Sequence, residues 1–204
     1  MDQGFDRLAE VMRRVEVLVA ETGLDRDAFL NASDLAVRSG LDEDRVRLLM
    51  ADERIPPAED FDAEVVRRIR LCQATRLKEE VNEHGQQVRR PYTIAEIAGW
   101  AGMTPQWFHK LLRTPKAPNL EHAAALAELF GVRLEFFTAP PALALALVLE
   151  SEVLPRLESY RVDPFAALSQ EFGLSDVAAR SGGGGDPRAL LGLIHRLSQD
   201  RLNP

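Results

Sequence analysis

The sequence predicts an all-α protein: tandem helix-turn-helix-like helical domains followed by a C-terminal helical dimerisation region. Three observations predict it. The chain of 204 residues is 46% apolar but only 6% aromatic, with Ala and Leu dominant, a composition suited to packed helices. Helix starts and stops are written out along its middle, as caps, prolines at first positions and closing glycines. The pattern also repeats at an offset of 62 residues, Asn31 falling on Thr93.

The elements follow in order. A first helix is expected over 5–20. Asn31, Asp34, Leu35, Ala36, Gly40, Leu41, Val46, Leu49 and Met50 then map onto Thr93, Glu96, Ile97, Ala98, Gly102, Met103, Phe108, Leu111 and Leu112. Residues 1–57 therefore read as a diverged, acidic helix-turn-helix-like domain. A long helix is expected over 64–83, its apolar stripe carrying Val65, Ile69, Leu77 and Val81, with Gly85 ending it. Residues 86–90 follow as a short basic arm bearing Arg89 and Arg90, both candidate DNA contacts beside the next helix.

Residues 91–138 carry the most information. Thr93 with Glu96 is a capping box opening a helix with Ile97, Ala98 and Ala101 on one face. Gly102 makes a tight turn. Thr104 caps a second helix with Pro105 at its first position, where a missing N–H costs nothing. Phe108, Leu111 and Leu112 form its inner stripe, while Gln106, Trp107, His109, Lys110 and Arg113 face outward. A supporting helix, a Gly turn and an exposed polar-basic helix make a unit able to enter a DNA major groove. Trp107 either contacts DNA or anchors its helix, and Trp100 is expected in the core. Asn119 caps a third helix closed by Gly131.

Ala139-Pro140-Pro141 marks a boundary. A helix over 142–154 is expected to be interrupted at Pro155, with further helices near 165 and over 175–180. A Gly linker at 182–185 leads to a closing helix over 187–202. Its Leu190, Leu191, Leu193, Ile194 and Leu197 present more apolar surface than a small tail can cover, which points to a homodimer.

Charge and composition narrow the function. The net charge is −7, yet residues 64–120 carry 10 basic and 5 acidic side chains against 8 and 16 in residues 1–63. Screening limits electrostatics to about 10 Å, so the local positive field is what phosphates meet. The position of Thr104 to Trp107 is occupied in the first copy by Asp42, Glu43, Asp44 and Arg45. Those carboxylates suit a helix start through its dipole, or else mark a protein partner's contact surface. The longest apolar run, 142–149, is too short to span a bilayer. The opening MDQGFDRLAE lacks the basic and apolar stretches of a signal peptide, so a cytoplasmic, nucleoid-associated protein is expected. Cys72 is the only cysteine. His84, His109, His122 and His195 have no metal-ligand spacing, and nothing resembles a P-loop, a nucleophile elbow or a zinc-protease helix. No enzyme, metal or cofactor is expected.

Ile97, Ala98, Ala101, Gly102, Met103, Thr104, Lys110, Leu111, Arg113, Pro118, Leu126, Leu129, Phe130, Gly131 and Val132 together resemble the Cro/C1-type (xenobiotic-response-element) family of bacterial regulators, most closely its actinobacterial branch. The resemblance covers about a quarter of the chain. It implies sequence-specific binding of double-stranded DNA, with Thr104, Gln106, Trp107 and His109 near the bases and Lys110, Arg113 and Lys116 clamping phosphates. It also implies a C-terminal dimerisation element. Pro105 replaces the family's frequent base-reading Gln, and Thr114-Pro115 its Gly-Lys, so no operator is implied. A protein-interaction adaptor or antitoxin-like module is the alternative, and an effector pocket in residues 139–204 a third reading.

Overall fold

The computed structural model describes residues 3–56, 58, 60–114, 116–164, 166, 167 and 170. In chain order the elements are α1 (Gln3–Thr22), α2 (Arg26–Phe29), α3 (Ala32–Ser39), α4 (Glu43–Met50), α5 (Phe61–Thr75), β1 (Leu77–Val81), β2 (Gln87–Pro91), α6 (Ile94–Trp100), α7 (Pro105–Arg113), α8 (Leu120–Phe130), α9 (Glu135–Thr138), α10 (Pro141–Val148), a π-helical turn (Leu149–Val153) and α11 (Leu154–Val162). The described chain is mostly helical, as composition predicts, with one two-stranded sheet added.

The described residues fall into two compact units, one within Met1–Ala32 and Leu145–Pro204, the other within Ser33–Ala144. This division crosses the boundaries expected near 57 and 138. The residues expected to dimerise, Leu190, Leu191, Leu193, Ile194 and Leu197, lie outside the described residues.

In the first unit α1 buries Leu8, Val11, Val15, Leu18 and Val19, a stripe at helical spacing. The stripe packs on the π-helical turn and α11, which bury Leu149, Val153, Leu154, Leu157 and Tyr160. Each such side chain stabilises by roughly 1.5–3 kcal/mol when fully buried. Phe29 meets Tyr160 edge-on at 5.8 Å, and the Arg156 guanidinium lies 4.6 Å over the Phe29 ring. The expected interruption at Pro155 does not occur. The chain stays helical because the π-helical turn runs directly into Pro155, and the ladder is already shifted from its regular pattern where the missing N–H falls.

In the second unit α5 supplies Val65, Val66, Ile69 and Cys72 to a core completed by α6, α7, α8 and Phe137 of α9. The long helix expected over 64–83 is corrected here. α5 ends at Thr75, and 77–91 forms an antiparallel hairpin with Lys78 opposite Arg90 and Glu79 opposite Arg89. Cross-strand ion pairs, with Gly85 at φ 73° in the turn, outweigh the helical propensity of Leu77-Lys78-Glu79-Glu80. The expected basic arm is thus a paired strand.

The offset of 62 residues recurs in three dimensions. α3 and α6 begin 62 apart, as do α4 and α7. Gly40 and Gly102 turn at φ 70° and 66°. Leu41 N donates to Ala36 O at 3.0 Å, and Met103 N to Ala98 O at 2.8 Å. Val46 and Phe108 occupy equivalent, fully buried positions.

Candidate nucleic-acid interface

Local sequence sets each element of the surface. Thr93 Oγ1 accepts from Glu96 N at 3.3 Å while Glu96 Oε2 accepts from Thr93 N at 2.9 Å, closing the capping box of α6. Thr104 Oγ1 accepts from Trp107 N at 3.2 Å, with Pro105 at the start of α7. Thr104 is therefore a cap, and its exposed hydroxyl donates to no partner among the described residues. Phe108, Leu111 and Leu112 anchor α7 in the core. Arg70 on α5 donates to the Leu112 carbonyl, tying down the last turn of α7.

Gln106, Trp107, His109, Lys110 and Arg113 are all exposed on α7, as is Lys116 just beyond it. Lys110, Arg113 and Lys116 make no ion pair among the described residues, so three cations face solvent uncompensated. Trp107 is 42% exposed, and its ring lies against that of His122 at 5.4 Å. Trp100, expected in the core, is 57% exposed on α6. Ile97 and Ala98 fill the inner face of this short helix, leaving its last residue outside.

The basic residues of the hairpin are held differently. Arg89 donates to Glu79 at 2.9 and 2.6 Å. Arg90 donates to Glu80 at 2.8 Å and twice to Glu96, which also receives Lys78 at 2.9 Å. Arg90, through hydrogen bonds, and then Lys78 hold the Glu96 carboxyl far below the usual carboxylate range. Glu80 is lowered chiefly by its hydrogen bond from Arg90. Arg89 and Arg90 are thus neutralised in place, unlike the cations of α7. Periodicity missed this because carboxylates paired only by strand register are not neighbours on a helix.

The equivalent surface of the first copy is also compensated. Arg47 pairs with Glu43 and Asp44, and Arg67 with Asp42 at 3.2 Å. Glu64 accepts from Arg67 at 2.9 and 2.8 Å and from Arg68 at 3.0 Å. Burial opposes its ionisation, but Arg67 and then Arg68 outweigh that and lower its pKa. Arg68 is fully buried and donates to Phe136 O and Ala139 O at 2.8 and 2.9 Å. Burial lowers its pKa against the attraction of Glu64.

The Cys72 thiol is buried and pushed up to about 11, away from the thiolate form. Among the described residues no cluster of His, Cys, Asp and Glu could hold a metal ion, and no helix is long and apolar enough to cross a membrane. Comparison with protein families, with curated proteins and with solved structures finds no match to this chain.

Proposed function

We propose that this chain is a sequence-specific, double-stranded DNA-binding transcriptional regulator acting as a dimer. The observation that carries this reading is the contrast on α7. Its apolar face is locked into the core, while Gln106, His109, Lys110 and Arg113 project outward with no carboxylate partner among the described residues. Unpaired cations beside an exposed amide suit phosphate clamping next to base reading. On this reading α6 and α7 form a helix-turn-helix, α3 and α4 are its diverged copy, and the closing segment joins two protomers. The acid-rich start of α4 then serves scaffolding or a protein partner. The protein works in the cytoplasm, on the nucleoid, without a cofactor.

The test is recovery of genomic DNA bound by the purified full-length protein, followed by titrations of the recovered duplex in increasing salt. With about four phosphates neutralised per protomer, a dimer gives a log–log slope of about −7. Lys110→Ala with Arg113→Ala weakens binding to all sequences and flattens that slope. Unchanged affinity in the double variant refutes the reading in favour of a protein-interaction module.

A further inference from the structure

His122 joins two parts of the surface that the sequence keeps apart. Its backbone N–H donates to Oδ1 of the capping residue Asn119 at 2.8 Å, which fixes where the side chain leaves α8. Its ring reaches back to the turn between α6 and α7, placing Nδ1 2.8 Å from the Ala101 carbonyl oxygen. A carbonyl only accepts, so Nδ1 carries a proton and donates it to Ala101 O. Ala101 is the C-cap of α6, where carbonyls have no partner within the helix. The same ring packs on Trp107 with centroids 5.4 Å apart and planes tilted by 55°.

We propose that His122 is a positioning residue for DNA readout, holding the Trp107 indole in one orientation on the outward face of α7 while tying the turn that aims α7. The proposal rests on the reading of α7 as the helix that meets DNA. Trp107 is 42% exposed, so the His122 ring bounds an indole that solvent would otherwise leave free to rotate. Ordering such a side chain only on binding weakens affinity roughly two- to tenfold. Lys110 and Arg113 act differently, because they carry the charge that displaces counterions. The His122 ring is engaged with the Ala101 carbonyl and the Trp107 indole rather than with phosphate, so its loss lowers affinity without changing the salt slope.

Two measurements on full-length protein test this. In a Trp100→Phe background, time-resolved anisotropy of free protein follows Trp107 alone. Its ring is expected to tumble with the whole molecule, and His122→Ala to add a fast local component. His122→Phe restores a ring without the hydrogen bond and should remove much of that component. His122→Asn restores a donor without a ring and should not. A fast component already present with His122 intact, or no change in His122→Ala, overturns the positioning role without any DNA. The second measurement uses a duplex selected from a random pool by the full-length protein. His122→Ala should bind it two- to tenfold more weakly at an unchanged salt slope, and the effect should largely vanish in a Trp107→Ala background. An equal loss in both backgrounds marks a purely structural role and overturns the proposal. A pool yielding no bound duplex overturns the DNA reading, and with it the purpose given to Trp107. The anisotropy result stands apart from that failure.

Discussion

Arg90 donates twice to Glu96, from Nη1 to Oε2 at 2.8 Å and from Nη2 to Oε1 at 2.6 Å, so strand β2 is latched to the carboxylate that caps α6. Glu96→Ala opens the capping box and removes one carboxylate, leaving Arg90 and Lys78 to share Glu80. The expected result is a lower thermal midpoint but tighter, less selective DNA binding, since the hairpin gains one net positive charge. Paired melting curves and titrations against random-sequence duplex check this. Weaker binding in a folded variant contradicts it.

Gln106 is exposed beside the cap of α7 and carries no charge. Gln106→Ala should relax base preference, with roughly 1–3 kcal/mol of discrimination lost at one position. The salt slope should stay that of the unaltered protein. Competition between single-base variants of a recovered site measures both.

The two turn glycines should not respond alike to a methyl group. Both have left-handed backbones, which cost a non-glycine residue about 1–2 kcal/mol. A Cβ at Gly102 meets nothing within 4 Å, whereas one at Gly40 lies 2.8 Å from Phe136 Cζ and 3.2 Å from Arg68 Cγ. Gly40→Ala is therefore expected to cost a further 1–3 kcal/mol or so beyond Gly102→Ala. Urea unfolding of the two variants compares them directly. Equal losses would show that the Phe136 ring moves aside freely.

Acid should loosen the second unit. Glu64 has a folded-state pKa below its ordinary value of 4.5. The stability it adds is present above that value and is lost as pH falls through the lower, folded-state one. Glu80 and Glu96 are shifted the same way and add to the slope. Glu64→Gln should cost roughly 1–3 kcal/mol near neutral pH and flatten the acid limb. Urea midpoints from about pH 6 down to about pH 3 read out the difference.

The proposed dimer makes its own demand. Leu190→Asp with Ile194→Asp should give a monomer by light scattering at micromolar concentration, and should about halve the salt slope. A variant that stays dimeric places the interface elsewhere. Substitution is the sounder route, because cutting the chain after Thr138 would also remove α11 and strip the buried stripe of α1.

The centre of the chain was legible because its signals are local. Thr93, Thr104 and Asn119 cap the helices expected of them, and Gly131 closes α8 at φ 64°. The recurrence at 62 residues was legible for the same reason, since matching buried positions and turn glycines need only spacing. What escaped depends on partners distant in sequence. Leu77-Lys78-Glu79-Glu80-Val81 reads as helix until Arg89 and Arg90 are set opposite it. The run Asn82-Glu83-His84-Gly85 was its available turn signal: Asn82 Oδ1 accepts from both His84 N and Gln86 N. His122 gave no site signal because its partners, Ala101 and Trp107, belong to other elements. Trp100 was misplaced because a large aromatic on a supporting helix was assumed to pack inward.

The π-helical turn at Leu149–Val153 has the geometry of one extra residue in the helical ladder. One residue more per turn advances every later side chain by about 100° around the axis. Leu157 and Tyr160 are buried in that advanced phase, and Glu158 reaches Arg14 from it. Deleting a single solvent-facing residue such as Glu152 would restore an ordinary ladder, yet rotate α11 so that its oily side leaves α1. Length in this segment is thus a constraint in addition to chemistry: a substitution at exposed Ser151 is cheap, and a frame of one residue is not.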